Sequence, residues 1–303
     1  MSEPVVELSE VSKNYGGVQA LQTVSVRLEA GEVVAFLGPN GAGKSTAIAI
    51  MLGLRKPTGG RALLFGGDPR AVAARSRIGV MLQESGVPPT LKVRELIELF
   101  RIYYPRPLAT KDLLIRAGLE DKAGAQLGTL SGGQKQRVYF ALAISGNPDV
   151  IFLDEPTTGL DVEARRAFWE QIRDFVDSGK TIVLTTHNLE EADALAKRIV
   201  VINKGRIIAD GTPGAIKART AGKHVSFSTG RPLTADFFAG LSLTRLVLQD
   251  DRVSFLSAEP EPAIERVFSA GCALRELEVV PAGLEEAFLT LTGADDVPAP
   301  TRS

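Results

Sequence analysis

The clearest pattern along the chain is a set of short apolar runs, each ending in polar residues. Val33-Val-Ala-Phe-Leu37 leads into Gly38, Ile78-Gly-Val-Met-Leu82 into Gln83, Val150-Ile-Phe-Leu153 into Asp154-Glu155, and Thr181-Ile-Val-Leu184 into Thr185-Thr-His187. Unbroken apolar runs of this kind predict strands buried on both faces, the condition of a parallel sheet covered by helices. Such sheets bind ligands at their carboxyl edge, where these polar residues fall. Val5–Val11 and Val24–Leu28 alternate only in part and predict strands flanking the sheet outside its parallel core. Ala47–Leu54 predicts a buried helix. Between Gln83 and Ser131 the β-branched runs disappear, and segments such as Leu91–Tyr104 and Thr110–Ala117 read as helices outside the sheet, a helical insert over about residues 84–146.

After Gly211-Thr-Pro-Gly214 the pattern changes. From about Lys223 to Thr292 it reads as strand, helix, strand, strand, helix, strand and a final helix, a small α+β domain. Its candidate strands are Val225–Ser228, Leu243–Gln249, Arg252–Ser257 and Leu274–Val279, with Asp250-Asp251 turning between the middle two and Pro262–Ala270 the clearest helix. The expected division is therefore an α/β domain over residues 1–220, the α+β domain over 221–292, and a mobile tail over 293–303, rich in Pro, Asp and Ala.

Composition narrows the possibilities. At 303 residues and 44% hydrophobic, the chain can bury the core of one large domain and a smaller one. Its 35 Lys and Arg nearly balance 36 Asp and Glu, so a net charge of -1 creates no overall field for nucleic acid, leaving room only for a local basic patch. No apolar stretch approaches the roughly 18 residues needed to span a bilayer, and the first residues lack a basic leader and hydrophobic signal core, so the expectation is a cytosolic chain. The single cysteine, Cys272, reads as a small buried residue, and two histidines, His187 and His224, offer no zinc cluster.

The candidate chemistry lies at the ends of the apolar runs. Gly38-Pro-Asn-Gly-Ala-Gly-Lys-Ser-Thr46 satisfies the Walker A pattern, in which glycines let backbone N–H groups crowd around phosphate oxygens at a helix N-terminus. Lys44 is then the charge for the β- and γ-phosphates, and Ser45 a Mg²⁺ ligand. Strand, glycine loop and helix occur in the order that motif requires. Leu130-Ser-Gly-Gly-Gln134 has the form of a capping box, in which Ser131 and Gln134 satisfy each other's backbone donors, and its two glycines also clear space above a positive helix end. Asp154-Glu155 closes a buried strand.

Taken together, these motifs resemble those of the ATP-binding cassette (ABC) ATPases, over about the first 210 residues and in the family's order. The resemblance implies a P-loop NTPase cassette with a parallel core sheet, flanking antiparallel strands and a helical insert, using ATP and Mg²⁺. It implies nucleotide contacts from Gly38, Pro39, Asn40, Gly41, Ala42, Gly43, Lys44, Ser45 and Thr46. Asp154 would hold the metal with Ser45, and Glu155 would orient or deprotonate the attacking water. Gln83 resembles the Q-loop residue, touching metal and water, and His187 the switch histidine, contacting the γ-phosphate. Tyr15, in Lys13-Asn-Tyr-Gly-Gly17, falls where these ATPases stack an aromatic ring on adenine, a contact that also accepts guanine. Ser131, Gly132, Gly133 and Gln134 form the signature that reaches ATP on a partner chain's Walker A loop. Gly159-Leu160-Asp161 corresponds to the D-loop, with Gly159 where many relatives have alanine.

Further expectations follow from the same resemblance. A cassette without a membrane span fits the nucleotide-binding subunit of a transporter whose permease is a separate polypeptide, at the cytoplasmic face of the membrane. Two ATPase chains, as a homodimer or with a related ATPase, would join that permease in a four-chain complex, with the surface around Glu84 and Leu91–Tyr104 receiving it. The segment Leu284-Glu-Glu-Ala-Phe-Leu-Thr-Leu-Thr-Gly293 resembles the extension of daunorubicin-resistance-type exporter ATPases, which work with ABC-2-type permeases. The same residues also fit a core-facing helix. An importer subunit and a soluble ABC ATPase acting on ribosomes or DNA are the alternatives. Tandem cassettes or long coiled coils would mark the soluble class, and this sequence has neither.

Overall fold

The computed structural model describes residues 4–82, 86–218 and 222–292. It divides into two compact units, Met1–Pro213 and Gly214–Ser303.

The first unit is built on a six-stranded sheet in the order β5-β6-β7-β3-β8-β9. Its strands are β3 (Val33–Leu37), β5 (Ile78–Met81), β6 (Val150–Asp154), β7 (Thr181–Thr186), β8 (Arg198–Asn203) and β9 (Arg206–Gly211). All pairings are parallel except the β8–β9 hairpin. Every residue of β3, β6 and β7 is buried, which is why those strands read as continuous apolar runs. A separate antiparallel sheet joins β1 (Val6–Tyr15) to β2 (Val18–Leu28) and β4 (Gly59–Leu64) in the order β2-β1-β4, and its inner faces share a core with β3 and the helix Lys44–Met51. That helix begins three residues before the apolar run that predicted it, because the glycine loop ends directly in its first turn.

The helices Val93–Arg101 and Thr110–Arg116 pack with Gly132–Ile144, which also lies against β5 and the helix Val162–Asp177. Phe140 fastens the last contact, meeting Phe168 edge-on at 5.5 Å between ring centroids and Phe175 at 6.1 Å.

The second unit has an antiparallel sheet in the order β11-β12-β10-β13: β10 (Lys223–Ser228), β11 (Thr244–Gln249), β12 (Arg252–Ser257) and β13 (Arg275–Pro281). Phe227, Phe255 and Val253 from this sheet pack with Phe238 and with Ala263 and Val267 of the helix Glu261–Ser269. Cys272 is buried in that cluster. The helix expected between β10 and β11 is instead a single 3₁₀ turn, Ala235–Phe238. Gly230 and Gly240, both at positive φ, and Pro232 bracket a segment too short to propagate an α-helix. The last helix is Leu284–Thr292, and the expected tail lies outside the described residues.

Candidate functional site

The chain leaves β3 at Leu37 and turns through six residues into the helix Lys44–Met51. Two glycines make that turn possible. Gly43 precedes the helix at φ 110°, and a Cβ there would lie 2.7 Å from the Ala20 carbonyl oxygen. A Cβ on Gly38 would lie 2.3 Å from the Ile202 carbonyl oxygen. The loop is thus seated between β2 and β8, with no side chain capping the helix, so that its first N–H groups are left for an external acceptor. Asn40, Gly41, Ala42, Gly43, Lys44, Ser45 and Thr46 line a depression of about 400 Å³ together with Ala20 and Glu155.

Lys44 is only 5% exposed. Its ammonium donates to the carbonyls of Gly38 (2.7 Å) and Pro39 (3.2 Å) and lies 3.8 Å from Glu155 Oε1. Burial holds its pKa below the usual lysine range, while the negative charges of Glu155 and Asp154 oppose that shift. A buried cation with two neutral acceptors and one loosely placed carboxylate is suited to anionic oxygens brought in from outside.

Parallel register assembles the remaining groups. Leu37 of β3 is level with Thr186 of β7, and Asp154 of β6 with Thr185. Thr185 Oγ1 donates to Asp154 Oδ1, and Ser45 Oγ reaches the same oxygen at 3.4 Å. Glu155 sits just past the strand at φ 48°, a left-handed conformation uncommon for a residue with a side chain. Its N–H is held by both the carbonyl and the hydroxyl of Thr185, each at 3.1 Å. Its Oε1 lies 3.3 Å from His187 Nδ1, and Thr158 Oγ1 donates to Oε2 at 3.3 Å. The structure therefore brings Lys44, Ser45, Asp154, Glu155 and His187 together at one sheet edge.

The predicted residues beyond the glycine loop and this cluster either do not line that depression or lie outside the described residues. Ser131 caps the helix Gly132–Ile144, with its Oγ accepting from Gln134 N at 3.3 Å while Gln134 Oε1 accepts from Ser131 N at 3.0 Å. A Cβ on Gly133 would press on Ala164 at 3.1 Å, whereas one on Gly132 would meet nothing within 4 Å. None of these four residues lines the depression around Lys44. Asp161 caps the helix Val162–Asp177 by accepting from Ala164 N at 2.8 Å. Tyr15 ends β1 with 43% of its surface exposed and Lys13 Nζ 5.0 Å from its ring centroid. Gln83 and Glu84 lie outside the described residues.

Sequence reasoning missed Thr185 and Thr158 as partners of the two carboxylates, and missed β8 as the wall behind Gly38. The apolar run Ile199–Ile202 followed by Asn203-Lys204-Gly205 was the available signal for β8. Neither threonine carries a signal of its own, since hydroxyls at strand ends and turns are common.

Comparison with known proteins agrees with this architecture. The ABC transporter family profile matches residues 21–158. The Nod factor export ATP-binding protein I of Paraburkholderia xenovorans is 39% identical over 305 residues, covering 97% of this chain and 99% of its own. The structure of an ATP-binding subunit of an ABC transporter aligns with a TM-score of 0.64 at 28% identity, covering 71% of this chain and 92% of that one. A dimeric, post-hydrolysis ATP-binding cassette bound to ADP and Pi aligns at 0.62 and 29% identity, over 68% and 98% respectively. With a glycine loop, a buried lysine and paired carboxylates on one sheet edge, and near full-length similarity to such proteins, the chain belongs to the ABC transporter family of ATP-binding subunits and is an ATPase.

Proposed function

We propose that this chain powers export through a separate ABC-2-type membrane permease, as two copies at the cytoplasmic face that close on ATP and reopen after hydrolysis. The observation that carries the two-copy part is the separation within one chain between the loop around Lys44 and the signature at Ser131–Gln134. Each half of the chemistry is formed, yet the signature contributes nothing to the depression lined by the loop. The open space over Gly132 suits a phosphate presented by a second copy. Export is the reading favoured by relatives named for Nod factor export. Among the described residues no helix is long and apolar enough to cross a membrane, so a permease would be another polypeptide.

In this reading ATP lies on Gly38–Thr46, with Lys44 at its terminal phosphates, Tyr15 against the base and His187 beside the γ-phosphate. Ser45 and Asp154 are hard oxygen donors converging on one point, which fits Mg²⁺. Among the described residues no three His, Cys, Asp or Glu side chains gather into a metal site, so phosphate oxygens and water would complete its coordination. When bound, the ion would offset phosphate charge. Glu155 accepts a proton from the attacking water as its oxygen bonds to the γ-phosphorus. The bond to the β,γ-bridging oxygen breaks, and ADP and phosphate leave.

The experiment is affinity purification of a tagged Glu155→Gln chain from its native host with ATP and Mg²⁺ in mild detergent. A polytopic membrane protein in the eluate is expected. Ribosomes or DNA without one would overturn the transport reading.

A further inference from the structure

The helix that follows the switch histidine carries a carboxyl group that the proposed chemistry does not use. Glu191 lies in Leu189–Leu195 and is wholly buried. Trp169 Nε1 donates to its Oε1 at 3.2 Å, while Oε2 has no hydrogen-bond partner within ordinary distance. The hydroxyls of Thr157 and Thr186 lie near the carboxyl, as does the guanidinium of Arg165. Arg165 reaches Glu190 at 3.4 Å with Nη1 and keeps its own Nε buried and unpaired. Burial shifts the Glu191 carboxyl above the usual range, against the opposing pull of Thr186, Thr157, Trp169 and Arg165.

The surroundings of this group make it more than a core acid. Thr157 lies two residues after Glu155, in the turn leading to Asp161. Thr186 immediately precedes His187, and its hydroxyl accepts from Asn188 N at 2.9 Å, so it helps shape the histidine's turn. Trp169 adjoins Phe168, whose ring meets Phe140 on the helix that Ser131 caps. A single carboxyl therefore stands where three segments meet: the one carrying Glu155 onward, the one carrying His187, and the helix that supports the signature. A buried acid left with an unsatisfied oxygen is costly, and an apolar residue would fill the same space without that cost.

We propose that Glu191 is a positioning residue, whose buried carboxyl is held through Trp169 by the helix against which the signature helix packs and stands between the turn after Glu155 and the turn of His187. The inference rests on Glu155 and His187 acting at the nucleotide. It adds that their relative placement depends on a group which itself touches no substrate. Misplacing reacting groups by about 1 Å can cost on the order of 100-fold in rate, so the effect belongs in kcat.

The test uses the full-length chain and compares Glu191→Leu, Glu191→Gln and Trp169→Phe in steady-state ATP hydrolysis, with the thermal unfolding midpoint of each measured alongside. Glu191→Leu should lower kcat by roughly 10- to 100-fold while KM changes by less than about threefold. Glu191→Gln keeps an acceptor for Trp169 and should restore kcat to within about threefold of the parent. Trp169→Phe removes the donor along with part of the buried ring and should lower kcat in the same direction with KM little changed, a second reading that stands even if Glu191→Leu fails to fold. Parental kcat in Glu191→Leu or in Trp169→Phe, or equal losses in the Leu and Gln variants, would overturn the proposal. Glu155→Gln is run beside them. If it keeps parental turnover, the assignment of the site fails; if it is inactive while Glu191→Leu is not, only the role of Glu191 fails.

Discussion

Glu155 stands within 4 Å of both Lys44 and His187, so its charged, proton-accepting carboxylate can be tested by a substitution that keeps its shape. Glu155→Gln preserves the shape and the contact with Thr158 but removes the base. We expect retained ATP binding in a fluorescence titration and turnover reduced by roughly 10²- to 10⁴-fold, and near-parental phosphate release would remove Glu155 from that role. Glu191 gives a prediction of different form. Its folded-state pKa is raised above the ordinary 4.5, so the folded chain holds this proton more tightly than the unfolded chain does. The stability it contributes is full below that ordinary value and is lost as pH rises through the folded-state value. Glu191→Gln has no such proton to lose, so its stability relative to the parent should improve over the pH window that opens above that ordinary value, read by denaturant unfolding at each pH. A difference that stays constant across that window would mean the carboxyl is already ionised in the folded chain.

Among the elements, the helix Gly132–Ile144 serves two purposes that substitution can divide. Ser131 caps it, so Ser131→Ala should cost about 1 kcal/mol of stability and also reduce turnover. Ser131→Asp keeps a capping oxygen while adding a negative charge where a phosphate would approach. Its unfolding midpoint should match the parent while its ATPase activity is lost. Activity retained in the Asp variant would leave Ser131 with the cap alone. The capping box was legible in the sequence because capping is local, with donor and acceptor three residues apart. The contacts of Phe140 with Phe168 and Phe175 were not legible, because they join helices distant in sequence. Likewise β8 and β4 were overlooked, although β8 supplies the wall against which Gly38 closes.

For the whole molecule, the proposal of sites shared between two chains has a direct consequence. A Lys44→Ala chain and a Ser131→Asp chain should each be inactive alone. Mixed, they form pairs in which one site combines an intact loop with an intact signature, and the other carries both defects. Measurable ATPase activity should therefore return on mixing, in proportion to the mixed pairs formed. Absence of recovery, with mixed pairs demonstrated by differential tagging, would place a complete site within one chain. The balanced charge of the chain creates no long-range field to drive pairing, so such closure would depend on bound nucleotide and the local fit of the two faces.

Local order determined what could be read without the fold: the strand, glycine loop and lysine-bearing helix in succession, the carboxylates closing a buried run, the histidine after another, and the capping signature. Each depends on neighbours along the chain, where backbone geometry and burial leave a periodic mark. Tertiary structure alone decided that β6, β7 and β3 lie side by side in the register that sets Asp154 level with Thr185 and Leu37 level with Thr186. That register makes Glu155 a neighbour of Lys44 and His187, gives Thr185 and Thr158 their partners, and buries Glu191 behind them. Strand order depends on contacts between segments tens of residues apart, which hydrophobic pattern does not encode, because a buried strand presents the same apolar run whichever strands lie beside it.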